Sequence, residues 1–429
     1  MSRPHRLYAR FRRSVRRIGR RTAPDLIDTS AAGAARFVRS LRGAGYCPFL
    51  LADDHTAAAC PEVVDELSAP GSSWILPGTP RVVPAIETSR ELSRRIEAAG
   101  TTPMLVVVGA GTLTDIAKHA ALSADVPVIA LPTAPSVDAY ASARSALRID
   151  GYHRTPSCRV PAAVLSCADV IEAAPDELIL AGLGDLTAKL IARIDWEVSS
   201  IVTGEPFDRA QADWCAFCAR SAVASLRHGT LRSAAIPALD ALMVSGLSMQ
   251  LIGASRPAAS AEHTLAHLWE IAVPFDPSQT DLHGLLVTTA IRTVVERYRS
   301  ICAALSTGKA PSGSAHDIAA AEAGWRDRVP VEMSPFTGKM EEESAGRSLG
   351  ETEVTRRRDA IAVNRGRIVE LCGALDDAER ALDALDRAGI GAYEAQIPDV
   401  WVTRAIDWVR YLRNRYSLFD VEFEMGWTV

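Results

Sequence analysis

His263 and His267 lie four residues apart in "EHTLAHLWE", so they share one face of a helix, and His283 opens the segment "HGLLVTTA". Asp185 stands behind two glycines in "AGLGDLTAK". Together, Asp185, His263 and His283 would offer one carboxylate and two imidazoles to a metal ion, with a coordination position left for substrate or water. Their types alone leave plainer roles open. Asp185 is equally suited to the N-cap or first turn of a helix, and the histidines to a core where neighbours satisfy them.

A second stretch, "LVVVGAGTLTDIAKHAA" from Leu105 to Ala121, starts as a short apolar run and ends as a helix. Four apolar residues suit a strand covered on both faces of a parallel sheet. Gly109 and Gly111 permit positive φ and close backbone approach, and the helical N–H groups from Thr114 onward would face whatever sits above the turn. That arrangement favours a phosphate. The spacing is not G-x-G-x-x-G, and any strand-to-helix turn can use two glycines.

These residues need elements to carry them. From Tyr46 to about Pro161 the chain alternates apolar runs with helical stretches: "YCPFLLADD" and "SWILPG" read as strands, "TAAACPEVVDELS" and "SRELSRRIEAAG" as helices, and "VPVIALPT" as a further strand. This is the rhythm of a doubly wound sheet. From about Pro175 strand signals fade, and "ELILAGLGDLTAKLIARIDWEVSSI", "LDALMVSGLSMQLIGAS" and "LLVTTAIRTVVERYRSICAAL" carry apolar residues at helical spacing. The expected division is a basic tail over 1–24, a dinucleotide-binding α/β domain over 25–170 and a helical metal- and substrate-binding domain over 171–429.

Composition bounds the rest. The chain has 429 residues, 48% hydrophobic and 23% charged, enough for two ordinary domains of a globular protein. No uninterrupted apolar run is long enough to cross a bilayer, so no membrane span is expected. The first 21 residues hold nine arginines and no acid, leaving −14 on the remainder against −5 for the whole. Leu7, Phe11 and Ile18 could make this segment an amphipathic helix, but a frayed, solvated tail is the expectation. Cys47, Cys60, Cys158, Cys167, Cys215, Cys218, Cys302 and Cys372 are scattered, and they read as reduced thiols of a cytoplasmic protein. The lone C-x-x-C pair Cys215 and Cys218 cannot complete a four-ligand site and reads as structural.

In order along the chain, "GAGTLTDIAKHA", "VIALPTAPSVDAYAS", "GLGDLTAK…DW", "EHTLAHLWE", "LHG" and "AIDWVRYLRNRYSLFDV" resemble the sn-glycerol-1-phosphate dehydrogenases, of the iron-containing alcohol dehydrogenase and dehydroquinate synthase-like group. The resemblance runs from about Tyr46 to the C-terminus, is most specific from Val106 to Ser142, and is weak across 304–358. It implies an N-terminal Rossmann-like sheet, a C-terminal helical domain and an active site in the cleft between them. It implies NAD(P)H-dependent reduction of dihydroxyacetone phosphate, or a similar small hydroxyketone, to sn-glycerol 1-phosphate at a divalent metal: zinc, nickel or iron. Carried over by motif, Gly109, Ala110, Gly111, Thr112, Leu113, Thr114 and Asp115 would line the dinucleotide, with Thr133, Ala134, Pro135, Ser136 and Ser142 as further cofactor contacts. Asp138 would touch substrate near the nicotinamide. Asp185, His263 and His283 match the metal ligands, and His267 the histidine that touches substrate and serves proton transfer.

Asp53 or Asp54, at the end of the first strand, could bind the adenosine ribose and favour NAD. Arg144, Arg148 and Lys189 stand near the motifs as candidate cations for a substrate phosphate. Ala110 replaces a glycine common in the family, and Leu285 and Leu286 stand where polar residues are common. A small phosphorylated ketone or polyol is the expected partner, without nucleic acid, and the apolar helical half suggests a homo-oligomer. Two alternatives remain: a dehydroquinate synthase-like lyase, which Asp185 in place of glutamate and the few nearby basic residues disfavour, and a non-catalytic cofactor-binding interaction protein.

Overall fold

A computed structural model describes residues 6–18, 23–99, 102–227, 229–273, 282–347 and 349–427. The chain divides into two compact units. The first comprises Met1–Leu186 and Phe217–Ala254; the second comprises Thr187–Ala216 and Ser255–Val429. The helical half is thus shared, because 217–254 returns to the unit that holds the sheet.

The first unit is built on six parallel strands: β1 (Asp25–Thr29), β2 (Cys47–Asp53), β3 (Ser73–Leu76), β4 (Pro103–Val108), β5 (Val128–Leu131) and β8 (Ala163–Cys167), in the order β1-β8-β5-β4-β2-β3. The doubly wound reading is borne out. The four strands read from apolar runs are β2 to β5. Those readings start one strand late, because β1, "DLIDT", is a short, half-exposed edge strand with two acids and lacks a buried strand's apolar run. Asp53 therefore ends the second strand, not the first. Two short antiparallel strands, β6 (Leu147–Ile149) and β7 (Tyr152–Arg154), form a separate hairpin.

Helices α1 (Arg6–Ile18), α2 (Ala31–Gly43), α3 (Pro61–Leu67), α4 (Ile86–Ala98) and α5 (Gly111–Ser123) precede the long helix α6 (Asp176–Thr203) and α7 (Leu231–Ile252). Alternate strand residues Leu50, Ala52, Val106, Val108, Ile129, Leu131 and Leu165 pack on Ala34 and Val38 of α2 and on Val63 and Leu67 of α3. α7 is long and apolar enough to pass a test for a membrane span, but most of it is buried inside the protein.

Over Arg6–Ile18 the arginine-rich start is a helix where a frayed tail was expected; residues 1–5 and 19–22 of that stretch lie outside the described residues. Tyr8 and Phe11 are each 1% exposed. The buried carboxylate of Asp240, on α7, accepts the N–H groups of Leu7 and Tyr8 at 3.0 Å each, capping α1 from a distant part of the chain. Tyr8 also donates its hydroxyl to the Pro24 carbonyl at 2.9 Å, and Arg12 pairs with Asp25. A charge count could not reveal this cap, since its acceptor lies over 200 residues away.

The second unit carries α8 (Ala261–Ala272), α9 (His283–Thr307) and α10 (Glu351–Cys372). Cys302 of α9 and Cys372 of α10 form a disulfide, with Cα atoms 6.1 Å apart. This corrects the expectation that all eight cysteines are reduced thiols; partners 70 residues apart on two helices leave no spacing signal. Of the other six, Cys47 is exposed and Cys60, Cys158, Cys167, Cys215 and Cys218 are buried.

Replacing Asp240 with alanine removes the acceptor of two helix-start N–H groups, for which about 1 kcal/mol is typical. Limited trypsin digestion is expected to cut the arginine-rich segment of Asp240→Ala faster than that of the wild type; equal rates would show that the cap does not hold α1.

Candidate active site

β4 delivers the chain into the glycine turn, and α5 begins at Gly111, three residues earlier than the sequence suggested. Ala110 is its N-cap, without a side-chain hydrogen bond, and Thr114 already donates its N–H to the Ala110 carbonyl at 3.1 Å. The N–H groups outside the intrahelical ladder are therefore those of Gly111, Thr112 and Leu113. Neither Gly109 nor Gly111 has positive φ. Space is what requires them: a Cβ on Gly109 would lie 2.6 Å from Leu113 Cδ1, and one on Gly111 would lie 2.1 Å from Val137 Cγ2.

Val137 belongs to the segment after β5, which holds the remaining residues expected at the coenzyme. Thr133 donates its N–H to the Gly109 carbonyl at 3.4 Å, so the two turns lie side by side. A Cβ on Gly182 of α6 would sit 1.6 Å from the Pro135 oxygen, and one on Gly246 of α7 would sit 2.8 Å from the Asp138 oxygen and 2.9 Å from the Ser142 nitrogen. Two helices thus touch this segment backbone to backbone. Tyr140 donates to the Ala134 carbonyl at 2.5 Å, Ser245 donates to Asp138 Oδ2 at 2.7 Å, and Ser142 Oγ accepts the Arg144 N–H at 3.0 Å.

Lys118 was missed by sequence reasoning. Its ammonium, fully buried, donates to Asp115 Oδ1 at 2.9 Å, to the Ala139 carbonyl at 2.7 Å and to the Arg144 carbonyl at 2.8 Å. Burial works against the charged amine, but Asp115 beside it outweighs that and holds its pKa above the ordinary lysine value. Lys118, held by Asp115, therefore braces the 138–144 segment from inside. Leu113 and Thr114 are buried too, whereas Thr112 is half-buried. Asp53 caps the short helix after β2, accepting the Thr56 N–H at 2.7 Å. Arg144 donates to the Gly253 carbonyl at 3.1 Å, Lys189 is wholly buried and Arg148 is exposed.

α6 is one uninterrupted helix, and Asp185 lies more than two turns inside it, 1% exposed. The first-turn role is therefore ruled out, because α6 starts at Asp176. Gly182 and Gly184, behind which the sequence reading set Asp185 early on a helix, are themselves interior residues of that helix. On α8, His263 and His267 are one turn apart, and His283 is the first residue of α9. The His267 and His283 rings stack at 4.9 Å and 19°, and His263 lies 5.3 Å from His283. Asp185 falls in the first unit, and His263, His267 and His283 fall in the second.

Two glutamates order these rings. Glu262, wholly buried, brings Oε1 to 2.9 Å from His263 Nδ1 and also accepts the Ser260 N–H there at 2.8 Å. Glu270 brings Oε2 to 2.9 Å from His267 Nδ1 and Oε1 to 3.3 Å from His283 Nδ1. An ionised carboxylate only accepts, so the Nδ1 protons stay in place and ligation would pass through Nε2. One carboxylate and two such imidazoles form a donor set that fits a divalent cation such as zinc. Sequence reasoning overlooked both glutamates, although E-H and H-x-x-E are visible in "EHTLAHLWE". Behind Glu262, Asp195 accepts Ser260 Oγ at 2.7 Å, the Tyr298 hydroxyl at 2.9 Å and the Leu418 N–H at 3.1 Å, and burial pushes its pKa up to about 7. Leu285 and Leu286 are buried in α9, so their apolar character serves packing.

The fold is that of the iron-containing alcohol dehydrogenases. The model of that family matches residues 31–175. Solved structures of such enzymes from Corynebacterium glutamicum and Thermococcus thioreducens share it at 14% identity and TM-score 0.54, covering 95% of this chain and 95% and 100% of theirs. Curated relatives named glycerol-1-phosphate dehydrogenase [NAD(P)+] are 32% identical in Bacillus velezensis over 59% of this chain and 66% of that protein, and 33% identical in Bacillus subtilis over 47% and 51%. A third, from Geobacillus stearothermophilus, is 32% identical over 62% of this chain and 68% of its own length. The chain belongs to the glycerol-1-phosphate dehydrogenase family. The matched stretch spans about half to two thirds of the first relatives' length.

Two outcomes test this account of the packing. Gly182→Ala forces a methyl group into the Pro135 carbonyl and is expected to cost about 1–3 kcal/mol. Gly366→Ala, in α10 where a Cβ meets nothing within 4 Å, is expected to stabilise by about 0.5–1 kcal/mol through helix propensity. Denaturant unfolding of both variants checks the opposite signs.

Asp195 gives a pH signature. Because its folded pKa is raised, the native protein binds more protons than the unfolded chain between the ordinary carboxylate value and about 7, so this group's contribution falls as pH rises through that window. Melting temperatures of wild type and Asp195→Asn are expected to diverge from pH 4 to pH 7, with the wild type losing ground; a constant difference would refute the shift.

Proposed function

We propose that the protein is a metal-dependent NAD(P)H oxidoreductase that reduces dihydroxyacetone phosphate, or a similar small hydroxyketone, to sn-glycerol 1-phosphate. The observation that carries the reading is the clustering of His263, His267 and His283, with a carboxylate on Nδ1 of each ring. Family membership and the names of the curated relatives support the reaction. A cytoplasmic, homo-oligomeric enzyme with a small phosphorylated ketone or polyol as its partner completes the reading.

The coenzyme's diphosphate would rest on the N–H groups of Gly111, Thr112 and Leu113, where the helix dipole favours negative charge. Gly109 and Ala110 line the approach. Thr133, Ala134, Pro135, Ser136 and Ser142 would hold the nicotinamide half, with Thr114 and Asp115 supporting from beneath. Asp53, at the end of β2, would face the adenosine ribose while its Oδ1 caps the next helix. Asp138, steadied by Ser245, would bind a substrate hydroxyl.

Asp185, His263 and His283 would hold the divalent ion, which when bound polarises the substrate carbonyl oxygen and stabilises the charge that develops on it. A bound NAD(P)H would supply hydride for the carbonyl carbon, and the oxygen would then need a proton. His267, with Nδ1–H held by Glu270, would supply that proton from Nε2 when its ring carries a second proton as imidazolium, and would be left as the neutral Nδ1–H tautomer. Oxidation of NADH or NADPH by dihydroxyacetone phosphate in the presence of zinc is the direct test. Absence of turnover in metal-loaded protein across related ketones would reject the reading.

Asp185→Ala and His263→Ala are each expected to lower turnover at least about 10³-fold, the scale on which lost electrostatic stabilisation acts. NADH affinity, read by fluorescence titration, should stay within about threefold. Parallel loss of both properties would mean that the coenzyme and metal residues are misassigned.

A further inference from the structure

The two glutamates beside the histidines use their oxygens differently. At Glu262, both donors share one oxygen: Ser260 N–H at 2.8 Å and His263 Nδ1 at 2.9 Å both reach Oε1. Its other oxygen, Oε2, is buried without a hydrogen-bond partner. At Glu270 the load is divided, with His267 on Oε2 at 2.9 Å and His283 on Oε1 at 3.3 Å. The two rings held this way are the stacked pair.

The geometry points to Glu270 as the positioning residue that locks His283, a metal-binding histidine, and His267, the substrate histidine, into one register, a task that needs both carboxylate oxygens. Glu262 positions His263 alone and needs only one. The inference rests on the ligand reading above and adds the residue that couples the metal histidine to the proton-carrying one. It follows from acceptor counts: a carboxylate accepts on both atoms, whereas a primary amide accepts on one and donates on the other. An amide at 270 must present N–H to one of the two Nδ1–H groups, so one ring loses its anchor. An amide at 262 keeps both bonds on its oxygen, and the NH₂ group takes the place of the unpartnered Oε2.

Glu262→Gln and Glu270→Gln each remove one negative charge beside a metal-binding histidine, so comparing them holds charge constant and isolates the geometry. Zinc affinity of the full chain, measured by competition with a chromophoric chelator, should fall about 10–100-fold in Glu270→Gln, the range typical when a ligand's orienting partner is lost. In Glu262→Gln it should stay within about threefold. Glu270→Asp, which keeps two accepting oxygens on a shorter stem, should recover part of the loss, a rescue that a bulk or packing effect would not give. NADH fluorescence titration monitors folding and should be unchanged in all three. Equal losses in the two glutamine variants, or a larger one at 262, would overturn the assignment; so would Glu270→Asp binding no better than Glu270→Gln. Should Glu270→Gln fail to fold, Glu270→Asp against Glu262→Asp decides, with the greater loss expected at 270. Asp185→Ala separates the two ideas: wild-type zinc affinity there would sink the ligand reading, whereas the glutamine pair tests Glu270 alone.

Discussion

The segment from Thr133 to Ser142 is held where a single added methyl group would not fit. Gly111, Gly182 and Gly246, on three different helices, each bring backbone against it, at positions where a Cβ would lie 1.6 to 2.8 Å from the nearest atom. Contacts this close leave the segment one position, because protein interiors are packed to crystal-like density and do not yield continuously. Lys118 adds an electrostatic tie through the Ala139 and Arg144 carbonyls. A buried ammonium tolerates no idle donor, so its three acceptors specify the loop as strictly as the glycines do. The glycine turn beside it depends on both, since the Gly109 carbonyl accepts the Thr133 N–H and Gly111 lies under Val137.

The two halves of the chemistry are made in different ways. The proposed diphosphate position uses backbone N–H groups on a strand-to-helix turn, so it depends on conformation and on the absence of side chains. The imidazole set depends on side-chain orientation, which helices alone do not secure. A helical register puts His263 and His267 on one face, but ring rotation about the side-chain bonds would remain without Glu262 and Glu270. Each carboxylate removes that freedom and selects the tautomer at once.

Much of this was legible in the chain, and the limits have physical causes. Central strands announce themselves because burial on both faces demands continuous apolar runs, as in Leu105 to Val108; the edge strand β1 carries no such demand and passed unread. Periodicity paired His263 with His267 because four residues make about one helical turn, and order along the chain brought in His283. Asp185 was placed at a helix start because Gly182 and Gly184 look like punctuation, yet Gly182 is inside α6 to let it touch Pro135. Lys118 reads as an ordinary i, i+3 partner of Asp115 on a helix surface, and only the tertiary fold shows that this surface is interior. The Asp240 cap on α1 and the Cys302–Cys372 bridge join residues too distant for local pattern to reveal.

The charges around the histidines explain why a cation suits them. Glu262 is fully buried and Asp195 is buried behind it, each penalised by desolvation and by the other's charge. Hydrogen bonds from Ser260, Tyr298 and Leu418 offset part of that cost at Asp195, but at Glu262 the Ser260 N–H and His263 Nδ1 engage one oxygen only. Neutral imidazoles supply donors without supplying positive charge. A divalent ion ligated through Nε2 would draw electron density from each ring and strengthen the Nδ1–H bond to its carboxylate, so the acids that orient the rings also complement the ion's charge. The same carboxylates that are expensive to bury in a purely structural core become favourable once the rings they hold carry a metal.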